Sequence, residues 1–336
     1  MRALEARAIG AGSRPPQRKT GLNIMMERRR IGSLDVTVVG LGCNNFGLRL
    51  DEPATAAVVH AALDAGINFF DTADIYGGGG VSEEYLGRAL GSHRAHVLIA
   101  TKFGMPMDDK RRGARPEYVR QAAEDSLRRL GTDHIDLYQL HQPDPGVPIA
   151  ETLGALNELV VAGKVREIGC SKFSAAQIRE AEDASAQDGI ARFASVQNEY
   201  SLLHREPEID VLDECARVGA AFLPFFPLAS GLLTGKYHRG EPAPEGSRLA
   251  SGPRAAQLTD ESLQRVEALR DFANSTGHTL LELAFAWLLA RPVVASVIAG
   301  ATKPEQVASN VATAEWHLTP SDLAAIDRIE PPPTKP

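Results

Sequence analysis

From Val39 onward the chain alternates short apolar runs with longer stretches in which apolar residues recur at helical spacing. The runs Val39 to Cys43, Asn68 to Asp71, Val97 to Thr101, Ile135 to His141, Val165 to Ser171, Ser195 to Asn198, Ala221 to Phe225 and Ser296 to Ala299 predict eight strands. Between them Glu52 to Ala65, Ser82 to Leu90, Pro116 to Leu130, Ile149 to Val161, Ala175 to Ala186, Ile209 to Val218 and Glu305 to Ala312 predict helices. Pro116 just inside its helix and Gly131 just past it are start and stop signals. Parallel strands joined by helices make either an open doubly wound sheet or a closed barrel. Eight units with no composition break favour the α/β class and, within it, a (β/α)8 TIM barrel. Residues 29 to 42 read as a β-hairpin leading into it. Two segments break the repeat, the Gly- and Pro-rich loop Ala229 to Pro253 and the helical pair Asp260 to Leu289. Long insertions after barrel strands are expected over the C-terminal face, where they cover a site.

Composition narrows this picture. A chain of 336 residues, 43% hydrophobic, can bury a sizeable core, as one barrel-sized domain or two smaller ones, and composition alone does not choose between them. The longest apolar helical run, Leu280 to Ala290, contains Glu282 and falls far short of the roughly 20 residues that span a bilayer, so no membrane anchor is expected. Cys43, Cys170 and Cys215 are odd in number and lack Cys-x-x-Cys spacing, which fits a reducing, cytoplasmic location. Cys43 and Cys170 fall near strand ends, where they either border a site or fill the core. Net charge is -7, but residues 1 to 30 carry eight Lys or Arg against two Glu, a local +6 that leaves about -13 on the remainder. The body is therefore a poor partner for nucleic acid. Residues 1 to 26 are expected to be a disordered leader, with a targeting role as the alternative and Met25 or Met26 as alternative starts, and 27 to 336 a single barrel domain.

Neither glycine-rich stretch carries a nucleotide fingerprint. GLGCNNFG, residues 40 to 47, has Asn45 where a Gly-x-Gly-x-x-Gly motif needs its third glycine, and Gly77 to Gly80 lack a following Gly-Lys-Ser/Thr. Both are expected to be loops.

The chemistry concentrates at strand ends. FFDTADIYG, residues 69 to 77, ends a strand with Asp71 and sets Tyr76 just beyond it; ATKFG, residues 100 to 104, supplies Lys102; DLYQLHQPD, residues 136 to 144, supplies His141. In a barrel, Asp71 and Lys102 form an ion pair at the C-terminal face. The chain uses 28 Arg against 8 Lys, so a lysine here suits an inward ammonium that tunes a neighbour. A cation beside Tyr76 lowers the phenol's pKa and readies it as a general acid toward a carbonyl oxygen. His141, as a neutral imidazole, donates a hydrogen bond to the same oxygen.

These four residues, with the order of the surrounding motifs from about Arg29 to the C-terminus, resemble the catalytic tetrad of the aldo-keto reductases. The resemblance implies reversible reduction of an aldehyde or ketone, a small-molecule carbonyl substrate, by NADPH, with NADH possible and no metal required. It also implies a cofactor site. The top of the first strand contributes Gly42, Cys43 and Asn44, and Ser171 and Gln197 hold the nicotinamide amide, with Lys172 where the family usually has Asn. Phe225 replaces the usual Tyr as stacker, one of Phe225 and Phe226 being expected in the core. Leu228, Ser230, Leu233, Lys236 and Arg248 run along the phosphates. Gly300, Thr302, Lys303, Gln306 and Asn310 lie on the adenine side, where Gln306 replaces an Arg that some members use for the 2'-phosphate and Lys303 can supply the charge. Two alternatives stand beside this reading: a redox-reporting binding protein like the potassium-channel β subunits, and a lyase in which Lys102 forms a Schiff base. The substrate and the oligomeric state are left open.

Overall fold

The computed structural model describes residues 26–335, so of the expected leader only Met26 falls within it. Strands β1 (Arg28–Ile31) and β2 (Leu34–Thr37) pair antiparallel as a hairpin. The strands β3 (Val39–Gly42), β4 (Phe69–Asp71), β5 (Leu98–Phe103), β6 (Ile135–Leu140), β7 (Val165–Ser171), β8 (Phe193–Glu199), β9 (Ala221–Phe225) and β10 (Val297–Gly300) then form one parallel sheet in the order β10-β3-β4-β5-β6-β7-β8-β9. The ring closes just ahead of β10, where Phe222 N donates to Val293 O (2.7 Å) and Ala295 N donates to Phe222 O (3.1 Å). This is the expected (β/α)8 barrel, with helices between successive strands and no described helix long and apolar enough to cross a membrane.

Local signals set the helix ends. Asp51 accepts from Ala54 N at the start of Glu52–Asp64, and Ser174 with Gln177 forms a capping box at the start of Ala175–Asp188. Pro116–Leu130 and Ile149–Val161 have the expected bounds, and Gly131 terminates the first in the left-handed conformation (φ 63°). The helix Pro320–Ile329, capped by Thr319 and Asp322, went unpredicted in the chain's last stretch.

Side-chain alternation divides the sheet between two cores. Outward residues meet the helices in a continuous apolar layer. Inward residues Phe69, Ala100, Leu137, Leu223 and Ile298 join Ile31, Leu34 and Val36 of the hairpin, which thereby floors the barrel at the N-terminal ends of its strands. Packing inside is close enough that a Cβ on Gly169 would collide with the Ser195 hydroxyl, and β7 shifts register at that point. With the floor sealed, the open end is the C-terminal one, where the side chains of interest lie.

Candidate active site

Continuing the same alternation upward, Asp71, the last residue of β4, and Lys102, the last but one of β5, lie inside the barrel. Lys102 is fully buried (0% exposed); its ammonium donates to Asp71 Oδ2 (2.7 Å) and to the Thr72 carbonyl (2.8 Å). Asp71 Oδ1 accepts from Gln197 Nε2 (3.0 Å) and Gln139 Nε2 (3.4 Å). The carboxylate is thus held from three strands, a geometry that fixes it and, through it, the ammonium. Burial alone pulls the Lys102 pKa down, but attraction to Asp71 and Tyr76 and its hydrogen bonds leave it above the ordinary lysine value.

Tyr76 leads into the loop expected at Gly77 to Gly80: Gly80 N donates to Tyr76 O (3.2 Å), but Gly77 (φ 73°) and Gly78 (φ 84°) do not have helical backbone. These four glycines all take positive φ, and a Cβ on Gly77 would stand 2.8 Å from the Phe46 carbonyl. The Lys102 ammonium lies 5.2 Å from the centre of the Tyr76 ring. The expected lowering of the phenol pKa is outweighed: burial raises it, Lys102 opposes as the largest counter-effect, and the net shift is upward. His141 meets the Tyr76 ring edge-on, centroids 5.8 Å apart. Burial, then the charges of Lys102 and Lys172, push the imidazole pKa down to about 2, so it is neutral, and its Nδ1 has no hydrogen-bond partner.

Around this centre the other expected residues distribute over the mouth. Ser171 and Gln197 are buried at the ends of β7 and within β8. Lys172, exposed, takes the left-handed backbone (φ 62°) with its N donating to Gln197 O (3.1 Å). Phe225 and Phe226 meet edge to face at 5.2 Å, and both remain partly exposed, so neither fills the core as one of them was expected to. Phe226 is held outward by a left-handed backbone (φ 52°) and by the Arg254 guanidinium 4.0 Å above its ring. Leu228 is half-buried, Leu233 fully buried, and Ser230 Oγ accepts from Arg254 Nη1 (2.8 Å). Lys236 lies 5.3 Å from the Tyr237 ring centre.

Across the ring, Gly42 and Gly300 pair at the ends of β3 and β10, so close that a Cβ on Gly42 would meet Gly300 N at 3.4 Å. Cys43 is fully buried with its thiol toward the Leu41 carbonyl, while Asn44 stays partly open above. Arg248 Nη2 donates to Asn45 Oδ1 (3.1 Å), and Asn45 Nδ2 to Ala301 O (3.2 Å), which ties the loop after β9 to the ends of β3 and β10. Gln306 Oε1 accepts from Thr302 N (2.7 Å) and Oγ1, with Lys303 exposed and Asn310 buried. Residues to which the sequence reading gave no site role are Gln139, Asn45, Arg49 and Arg254. Gln139 was findable, since it stands two before His141 and shares its side of the strand.

Two physical features unify the mouth. The described non-glycine residues with left-handed backbone, Lys172, Phe226, Ala229 and Ser230, all lie on it, which is where proteins concentrate strained backbone for function. Arg49, Arg248, Arg254 and Lys236 have no carboxylate partner among the described residues, and burial, then Arg254 and Arg49, lower the Arg248 pKa. Cations crowded together without counter-ions form a ready anion site.

A barrel with an acid-base constellation and an anion-attracting rim at the C-terminal mouth is the architecture of a barrel enzyme. The sequence pattern of the Aldo/keto reductase family matches residues 38–331. The chain is 35% identical to a probable voltage-gated potassium channel subunit beta of Oryza sativa subsp. japonica, over 85% of this chain and 89% of that protein. It is 34% identical to the uncharacterized oxidoreductase YrpG of Bacillus subtilis (89% and 94%), and 35% identical to the probable aldo-keto reductase 1 of Glycine max (88% and 86%). The chain belongs to the aldo/keto reductase family, whose members are oxidoreductases of carbonyl groups and typically use nicotinamide cofactors.

Proposed function

We propose that the protein reduces an aldehyde or ketone to an alcohol, reversibly, with NADPH as cofactor and NADH as second choice. The observation that carries this reading is the buried Lys102–Asp71 pair beneath Tyr76, with neutral His141 edge-on to the phenol. Burial keeps the proton on Tyr76 until a carbonyl oxygen beside it gains negative charge; Lys102 then stabilises the phenolate left behind. A neutral His141 can donate to the same oxygen and orient it, and does so without adding a second cation to the site.

The residues present fit a dinucleotide. The unneutralised Arg49, Arg248, Arg254 and Lys236 suit its phosphates, and the left-handed turn at Ala229 and Ser230 brings backbone toward them. Ser171 and the Oε1 of Gln197 suit the amide, and Phe225 offers a partly exposed ring face. When bound, nicotinamide supplies the hydride for the carbonyl carbon. Against a Schiff-base lyase counts the state of Lys102: fully buried, hydrogen-bonded to Asp71 and Thr72, and more basic than usual, it is a poor nucleophilic amine.

The test is Tyr76→Phe. Nucleotide affinity, read by fluorescence titration, should hold while reduction of a reactive aromatic aldehyde falls roughly 100- to 10,000-fold, the usual range for loss of a general acid. Wild-type turnover in that variant would remove Tyr76 from its role. Similarity to the channel β subunits favours one second reading, a redox-reporting binding role, for which the signature is very slow turnover together with a stable partner complex.

A further inference from the structure

Lys172 stands where recognition of an amide asks for a small neutral side chain, and its surroundings point elsewhere. Its backbone is left-handed (φ 62°), a region costly for lysine, and the bond from its N to Gln197 O holds it there. The direction of the side chain follows from the topology. Lys172 follows β7, yet its ammonium ends 3.9 Å from Met105 Sδ, in the loop after β5. In the ring, β6 lies between those two strands, and His141 directly follows its last residue, Leu140. The side chain therefore reaches across the His141 position, above the tetrad.

There the ammonium lacks a counter-ion. Among the described residues no carboxylate pairs with it, and a thioether is only a weak acceptor that carries no charge. Its influence on the site is felt: although the residue as a whole is exposed, desolvation of its ammonium and then the Lys102 charge lower its own pKa, and its charge is among the causes that depress His141.

We infer that Lys172 is a specificity-determining residue, the anchor for a carboxylate on the substrate, so that the preferred carbonyl compounds are oxo-acids. The inference rests on the reductase reading of the same site. A carboxylate at this point would satisfy the unmatched ammonium with a charge-assisted hydrogen bond and set the carbonyl a fixed distance away, beside Tyr76 and His141.

The experiment compares kcat/KM for two acids, 4-formylbenzoate and 4-oxobutanoate, with their methyl esters, in the wild type, Lys172→Met and Lys172→Arg, alongside nucleotide titration of each. The wild type should prefer at least one acid over its ester, with a preference that shrinks as salt rises. Lys172→Met should collapse that acid-to-ester ratio by roughly 10- to 100-fold, as expected for loss of a charge-assisted hydrogen bond, and Lys172→Arg should restore part of it. An equal loss for acid and ester together with weakened nucleotide binding would assign Lys172 to the cofactor and overturn the inference. Turnover without any acid preference in the wild type would also overturn it while leaving the reductase reading intact. No turnover of any of the four compounds, despite nucleotide binding, would count against that reading itself.

Discussion

Asp71 and Asp74 leave the same strand three residues apart, both are buried, and they meet opposite surroundings. Asp71 points into the barrel, where the Lys102 ammonium and two glutamine amides converge on it. Asp74 lies outside the ring between sheet and helices, where its neighbour is another acid. Glu83, also fully buried, takes the available partners: Arg129 Nε donates to its Oε2 (2.6 Å) and Thr101 Oγ1 to its Oε1 (2.5 Å). Asp74 is left with a long bond from Tyr118 (3.5 Å) and an Oδ1 that has no partner. Burial first, and Glu83 second, raise its pKa from 3.8 to about 7. The lesson is that burial does not decide what a carboxylate does. The first site pairs its acid with a cation and can support chemistry; the second holds a carboxyl that keeps its proton to near neutrality beside an already committed ion pair.

The contrast predicts opposite outcomes for charge removal. The largest effect is expected for Lys102→Met, which strands Asp71 without a cation and should destabilise the fold by about 3–5 kcal/mol, measured by urea unfolding at pH 8. A variant as stable as wild type would mean that the pair is not truly desolvated. Asp74→Asn should act the other way. In the unfolded chain this carboxyl ionises above pH 3.8, but in the folded protein only near 7, so its contribution to stability declines as pH rises through that interval and is constant above it. Removing the ionisation should therefore flatten that decline and stabilise the protein at pH 8, by up to about 4 kcal/mol at 1.4 kcal/mol per pH unit. A stability curve with the same slope in both proteins would sink the assignment.

Gln139→Leu removes the longer of the two amide bonds to Asp71, and a loss of about 1 kcal/mol in the same unfolding assay is expected. The smallest effect expected is none: with its pKa near 2, His141 should show no NMR titration between pH 5 and 8. A shift of its ring protons in that range would return a charged imidazole to the mouth and undo the neutral-donor role.

How legible was all this in the chain? The strand ends bearing Asp71, Lys102 and His141 could be read because each polar residue closes a short apolar run, and the ion pair followed once the strands were neighbours. The helices at Pro116–Leu130 and Ile149–Val161 were equally plain, since proline, glycine and apolar periodicity agreed. The tetrad's electrostatics were less so. That a nearby ammonium lowers a phenol's pKa is correct in sign, but whether it prevails over desolvation depends on how much water the fold leaves at Tyr76.

By itself, then, the sequence determined the order of elements, the parallel sheet and the residue types brought to its C-terminal edge, because periodicity, capping and turn chemistry act over a few residues. Tertiary structure decided what those residues experience. It sealed the barrel floor with the hairpin residues Ile31, Leu34 and Val36, and left both Phe225 and Phe226 partly exposed, Phe226 on a left-handed backbone. It also sent Lys172 across β6 toward Met105 and put Glu83 beside Asp74. Each of these is a contact between segments distant in the chain, and desolvation and Coulomb energy depend on such distances in space, which local pattern does not encode.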